Sequence, residues 1–261
     1  MTRPILQVKN ISLSFRGVKA ISDLSFDVAE GEICALIGPN GAGKSSLLNI
    51  LNGVYRPDAG EIVFVGTPFH EINPLDAARR GIGRGFQNNA LFSGMSVMDN
   101  VIVGLSRHSR TTIIEEALSL PRARREAMQF RQRAAEVLGL FGLTPYAKTI
   151  VGTLAYGLQK KVEIARAVVS DPALLLLDEP LAGMNAAEKE DVLAVIADLN
   201  RRLMLTIVLI EHDIAAVMKL AHHIVVLDYG RKLAYGAPDA VRNNPAVIAA
   251  YLGGRKNEVA A

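Results

Sequence analysis

The sequence predicts an α/β fold on a mainly parallel core sheet, and three features carry that expectation. First, "ALLLLD" at 173–178 and "MLTIVLIEH" at 204–212 are apolar on both faces, as strands buried between helices must be. The intervening "NAAEKEDVLAVIADLNRR" has helical spacing, with Asn185 placed as its N-cap. Strand, helix, strand in this order builds a parallel layer. Second, the first third holds "ILQVK", "ISLSF", "LSFDV", "EICALIG" and "EIVFVG", short β-branched runs separated by Gly, Asp or Asn. They read as five strands, the last entered through the turn "RPDAG". Third, the texture from about 74 to 170 changes to long charged segments of helical period. Within 123–141, Ala127, Phe130, Ala134, Val137, Leu138 and Phe141 recur at intervals of three, four and seven. An inserted helical lobe is expected over about 88–170, inside one domain spanning 1–252. The close "GGRKNEVAA", at 253–261, reads as a loose tail.

Composition narrows the class. The 261 residues are 50% apolar and 21% charged, ordinary for a globular chain with ample core. Aromatics make up 5% and Trp is absent, so the core must be aliphatic. A single cysteine, Cys34, forbids an internal disulfide and suits a reducing compartment. The amino terminus lacks the apolar stretch of a signal peptide, and no apolar run approaches the ~18 residues a bilayer span requires. The expectation is a soluble, cytosolic protein. Basic residues cluster between Arg107 and Arg133, but Glu115, Glu116 and Glu126 are interspersed and stacking aromatics are few. That stretch reads as a solvated helical face, and no nucleic-acid partner is expected.

"GPNGAGKS" fits the spacing G-x-x-x-x-G-K-[ST], with Gly38, Gly43, Lys44 and Ser45 in the defining places. It follows an apolar strand and opens the helix "KSSLLNILNG". Phosphates need many donors at close range; Gly41 and Gly43 let backbone N–H groups approach, and the helix start adds partial positive charge. The loop residues Gly38, Pro39, Asn40, Gly41, Ala42 and Gly43, with Lys44, Ser45 and Ser46, are therefore expected to cradle a nucleotide. Lys44 would reach the β and γ phosphates, and the Ser45 hydroxyl would complete a Mg²⁺ shell.

"ALLLLDEP" ends a buried strand in two carboxylates, where α/β sheets place ligands. Asp178 is the expected Mg²⁺ ligand, and Glu179 the group that orients and deprotonates an attacking water. His212 directly follows the next buried strand, where a γ-phosphate contact is reasonable. Gln87, in "GRGFQN", follows a glycine-rich bend and alone would carry little. His222 and His223 lack such a setting and read as ordinary.

In order and spacing, "GPNGAGKS", Gln87, "LAYGLQ", "LLLLDEP" and His212 resemble the ATP-binding-cassette ATPases over nearly the whole chain. The resemblance implies a P-loop core, an antiparallel β lobe at the amino end and a helical lobe, with ATP and Mg²⁺ as cofactors. It implies that Phe15 stacks on adenine, that Gln87 is the Q-loop residue beside the metal, that "LAGMN" is the D-loop and that His212 is the switch histidine. Such ATPases work as head-to-tail pairs, with ATP between the phosphate loop of one subunit and the signature of the other. Here the signature keeps Leu154 and Gly157 but places Ala155, Tyr156 and Leu158 where Ser, Gly and Gln are usual. The missing hydroxyl removes a hydrogen bond to charged phosphate, ~1–3 kcal/mol. Gln159 is one position late as a replacement amide, and the D-loop ends in Asn185 in place of Asp. A weakened but working signature is the expectation, because Lys44, Asp178, Glu179 and His212 are all intact.

The finer texture resembles the ATPases of branched-chain amino acid importers, through "LDAARRGIGRGFQNNALFSGMSVMDNVIVG", "LPRARRE", "EPLAGMN", "LIEHDI" and "YGAPDAVRNNPAVIAAYLG". That implies an ATP-driven clamp pulling on transmembrane permease subunits through the groove near 87–104. It also implies peripheral placement on the inner face of the cell membrane and, indirectly, a periplasmic solute-binding protein. The second ATPase subunit could be identical or different. The rival readings are a lipopolysaccharide-export ATPase, a single-cassette assembly factor outside transport, and a regulatory cassette that binds ATP without turnover.

Overall fold

The computed structural model describes residues 4–85 and 91–253. The amino-terminal hairpin β1 (Pro4–Phe15) and β2 (Val18–Ala29) opens the chain, and β3 (Ile33–Ile37) leaves it for a second sheet. After α1 (Lys44–Leu51), β4 (Ala59–Phe64) and β5 (Thr67–Phe69) return to complete an antiparallel sheet of order β2-β1-β4-β5. "ILQVK" and "ISLSF", expected as two strands, are one. The separator Asn10 sits at φ 52, where the register shifts between Val8 and Ile11, and its amide donates to Asp23 Oδ1 at 2.8 Å. A polar residue that looked like a turn is a β-bulge.

The chain continues through α2 (Pro74–Arg79) and β6 (Ile82–Gly85). Strand β6 falls inside the stretch expected to be helical. Two of its four residues are glycine, so it carries no side-chain period, and only its parallel ladder to the later strand defines it. From 91 to 173 the described residues hold four α-helices, three short 3-10 turns and no strand: α3 (Val97–Val103), α4 (Ile113–Ala117), α5 (Pro121–Leu140) and α6 (Tyr156–Val168). Then come β7 (Leu174–Asp178), α7 (Ala186–Leu203), β8 (Thr206–Ile210), α8 (Ile214–Leu220), β9 (His223–Asp228), β10 (Arg231–Gly236), α9 (Pro238–Arg242) and α10 (Pro245–Gly253). Of the expected tail, all but Gly253 lies outside the described residues.

The second sheet has the order β10-β9-β3-β8-β7-β6, parallel from β9 to β6 and closed by β10 as an antiparallel edge. Its central strands β3, β7 and β8 are buried along their whole length. Alternate residues feed two cores. Ile33, Ala35 and Ile37 with Leu175 and Leu177 face α3, α5, α6 and α7, whereas Cys34, Leu36, Leu174 and Leu176 face α1 and the antiparallel lobe. Burial pushes the Cys34 thiol far above its ordinary range, so it is an inert packing group. The order places β3 between β8 and β9, and the carboxyl ends of β3, β7 and β8 open side by side. Asn185 caps α7, its side chain accepting from Glu188 N–H while Glu188 accepts from Asn185 N–H. Asn serves this cap as well as Asp, which accounts physically for the departure at that position.

Candidate functional site

The loop between β3 and α1 is shaped by what surrounds it. Gly38 has φ 149, and a Cβ there would lie 2.0 Å from the Leu227 carbonyl oxygen; Gly43 has φ 96, with its Cβ position 2.5 Å from the Ala20 carbonyl oxygen. Any side chain at either place would push the loop off β9 or off the amino-terminal hairpin. The loop from Asn40 to Ser46 lines a cavity of about 180 Å³ together with Ala20, Glu179 and His212. The structure thus brings most of the expected phosphate-loop residues to the same hollow as the expected base and the expected switch histidine.

Lys44 bends back over the loop, donating to the carbonyl oxygens of Gly38 at 2.7 Å and Pro39 at 2.9 Å. Burial lowers its pKa, opposed by the attraction of Glu179 and then Asp178. A buried cation whose hydrogen bonds all go to neutral carbonyls is poised to exchange them for an anion.

Asp178, the last residue of β7, is 3% exposed, and burial raises its pKa against the pull of Arg84. Its Oδ2 lies 3.6 Å from Arg84 Nη2, while Oδ1 is buried with no hydrogen-bond partner among the described residues. An unsatisfied buried carboxylate oxygen is costly unless something binds it. Together with the Ser45 hydroxyl, an oxygen-only donor set suits a hard divalent cation such as Mg²⁺. Among the described residues there is no group of three or more His, Cys, Asp or Glu that could hold a metal by themselves, so such a cation would need phosphate oxygens as well.

Glu179 occupies a left-handed backbone conformation, φ 50, with its N–H donating to the Ile210 carbonyl at 3.0 Å. That strained turn lifts its side chain off the sheet toward His212, whose Nε2 lies 2.9 Å from Glu179 Oε1.

Two residues in this framework were not anticipated. Arg84, on β6, donates to Asn49 Oδ1 of α1 at 2.7 Å and is the charge beside Asp178. Glu211, 5% exposed, accepts from Leu181 N–H at 2.8 Å and from His212 N–H at 3.2 Å. Burial raises the Glu211 pKa, opposed by N–H groups of Leu181, His212 and Asp213. It ties Leu181, the first residue of "LAGMN", to the histidine. A carboxylate immediately after an apolar strand, in "LIEHD", was the available signal; Arg84 between glycines gave none.

Other expected residues lie elsewhere. Phe15 is 42% exposed at the end of β1, its ring edge-to-face with Tyr55 at 5.1 Å; it does not line the cavity, although Ala20 from the same hairpin does. Gln87 lies outside the described residues. Leu154, Ala155, Tyr156 and Gly157 are also absent from the cavity. They form the start of α6, whose N-cap Ala155 makes no side-chain cap bond. The leading N–H groups of α6 therefore receive no acceptor from the N-cap side chain. A Cβ on Gly157 would lie 3.1 Å from Glu188 Cγ, and the Tyr156 ring sits against Gly183. The start of α6 and the 183–188 segment are one packed unit. Gln159, the expected replacement amide, donates its Nε2 to Leu154 O at 2.8 Å, bracing the turn from inside. His222 accepts from Ile33 N–H and His223 bonds Glu32, both structural roles.

Comparison with known proteins adds independent findings. A family model described as ABC transporter matches residues 21–182, and one described as branched-chain amino acid ATP-binding cassette transporter matches 231–257. The high-affinity branched-chain amino acid transport ATP-binding protein BraF of Pseudomonas aeruginosa is 41% identical over 253 residues, covering 97% of this chain and 99% of BraF. LivG of Escherichia coli, of the same description, is 39% identical with the same coverage. Among solved structures, the ADP conformation of an ATP-binding cassette of an ABC transporter superposes with a TM-score of 0.84 at 27% identity, over 97% of this chain and all of that one.

Proposed function

The chain belongs to the ABC transporter family, and from that membership we propose that it is the ATP-hydrolysing motor of an importer for branched-chain amino acids or related small solutes. The observation that carries the reading is the meeting of Lys44, Glu179 and His212 around one cavity, with Asp178 buried behind it.

ATP would seat its phosphates on the loop N–H groups and the α1 start, drawing Lys44 off the Gly38 and Pro39 carbonyls. Asp178 and Ser45, with Gln87, are the residues that would hold Mg²⁺. When bound, the cation would neutralise charge on the phosphate oxygens. Glu179 orients and deprotonates the water for in-line attack on the γ-phosphate, and His212 holds the Glu179 carboxylate in place. Phe15, braced by Tyr55, supplies the adenine platform.

The start of α6 cannot complete this cavity from within the same chain. The reading therefore pairs two cassettes head to tail, each offering the open N–H groups of α6 to the other's γ-phosphate. Closing the pair pulls on permease subunits, which hold the cassette at the inner face of the membrane; a periplasmic solute-binding protein delivers the cargo. No helix among the described residues is long and apolar enough to cross a membrane. The match at 231–257 and the similarity to BraF and LivG favour import over the lipopolysaccharide-export and assembly-factor readings.

The test uses Glu179→Gln, built to bind ATP without turnover, and measures mass in solution with and without Mg-ATP. Doubling only with ATP, abolished by Gly157→Asp, is the expected result. Failure of the wild-type chain to hydrolyse ATP, alone or with its permease, would sink the reading.

A further inference from the structure

We propose that the α4–α5 insert is a contact surface for an anionic lipid bilayer, with the outward apolar face of α4 lying among the headgroups. Helix α4 is amphipathic the wrong way round for a soluble protein. None of its residues is buried, and Ile113, Ile114 and Leu118 are 85%, 71% and 66% exposed. At 100° per residue these three and Ala117 fall on one stripe.

The polar side of α4 bonds within the insert, with Glu115 half-buried and Glu116 exposed. Thr112 and Glu115 close a capping box, Glu115 pairs with Arg122 at 3.5 Å, and Glu116 accepts from Thr111 Oγ1 at 3.0 Å. With both glutamates bonded within the insert, the large side chains that α4 leaves without a partner are those of its apolar stripe. Exposed clusters of large aliphatic side chains mark interaction sites.

Charge selects the partner. Residues 107–133 contain seven arginines against three glutamates, an excess larger than the +3 of the entire chain. All three glutamates are used internally. Glu126 gathers Ser109 Oγ at 2.8 Å, Thr111 Oγ1 at 2.8 Å and Arg110 N–H at 3.1 Å. Arg124, Arg125 and Arg131 are exposed on α5 and make no ion pair among the described residues. Their stripe also carries Met128, 72% exposed. Exposed aliphatic side chains on α4, with exposed arginines on α5 that make no ion pair among the described residues, are the chemistry of an interfacial segment on anionic lipid. A nucleic acid would want aromatic platforms, and the only aromatic ring in α5, Phe130, is packed on the core.

Vesicle co-sedimentation of the full chain needs neither permease nor nucleotide, so its outcome is separate from the transport reading. The expected result is binding to vesicles of mixed phosphatidylcholine and phosphatidylglycerol but not of phosphatidylcholine alone. The triple variants Ile113→Ser/Ile114→Ser/Leu118→Ser and Arg124→Gln/Arg125→Gln/Arg131→Gln should each weaken binding on the order of tenfold or more. Both sets replace exposed side chains, so an unchanged circular dichroism melt should accompany the loss. Equal binding to neutral and anionic vesicles, or none to either, would overturn the proposal. So would binding that survives the serine variant and is competed by duplex DNA, which would mark a general polyanion surface.

Discussion

The imidazole of His212 and the carboxylate of Glu179 form one hydrogen-bonded pair, Nε2 to Oε1 at 2.9 Å, although they leave the ends of different strands. The pair holds because Glu179 accepts a left-handed backbone that lifts it off β7. His212→Ala should therefore free the carboxylate without disturbing the phosphate loop. Turnover is expected to fall by ~10²-fold or more, because a freed Glu179 loses the positioning that its proton-transfer role requires, with ATP affinity nearly unchanged. Single-turnover kinetics beside equilibrium ATP binding separates the two; a matching loss of affinity would put His212 in nucleotide binding instead.

The N-cap of α6 is the second point of leverage. Ala155 leaves that helix start without an acceptor from the N-cap side chain. Ala155→Ser should add ~1 kcal/mol of stability, a rise in Tm of about 2–4 °C. In the proposed head-to-tail pair it also places a hydroxyl toward the partner's γ-phosphate, so ATP-dependent pairing of Glu179→Gln should tighten. Calorimetry and concentration-dependent mass measurement check the two effects, and an unmoved Tm would mean the cap is already satisfied.

Arg84 and Asp178 form a buried pair, with side chains 11% and 2% exposed. Arg84→Met should cost ~3 kcal/mol, because it strands the carboxylate. Adding Asp178→Asn should return much of that stability although activity is lost. Chemical denaturation of the three variants closes the cycle. Additive losses would show that the two groups do not interact.

Glu126 supplies the pH prediction. The Ser109 hydroxyl first, then the N–H and hydroxyl groups of Arg110 and Thr111, hold its carboxyl at about 2, against an ordinary 4.5. A depressed carboxylate stabilises the fold fully above its unfolded value, and that contribution is lost as pH falls from about 4.5 to about 2. A side-chain NMR titration should find the Glu126 midpoint near the lower figure. Glu126→Gln should remove the acid dependence of hydrogen-exchange protection at 109–112.

The site was legible in the sequence wherever chemistry depends on neighbours along the chain. "GPNGAGKS" needs its spacing to form a loop, and Asp178, Glu179 and His212 each end an apolar run. Tyr55 and Arg84 were not legible, because their partners Phe15 and Asp178 lie on other elements; Glu211 had its signal in "LIEHD", but its bond to Leu181 across the fold did not. Strand β6 was missed for a related reason: a strand with two glycines shows no alternation until β7 lies beside it. The bulge at Asn10 was read as a strand break because an isolated Asn favours left-handed backbone in a turn and in a bulge alike.

By itself the sequence determined the α/β class, the phosphate loop, the paired carboxylates and the family resemblance, since all are carried by local pattern and fixed spacing. Only the tertiary structure decided that Gln159 braces its own turn, that Glu211 ties Leu181 to His212, and that the apolar face of α4 points outward. Those outcomes depend on which donor meets which acceptor across the fold, a competition settled in three dimensions by packing and desolvation.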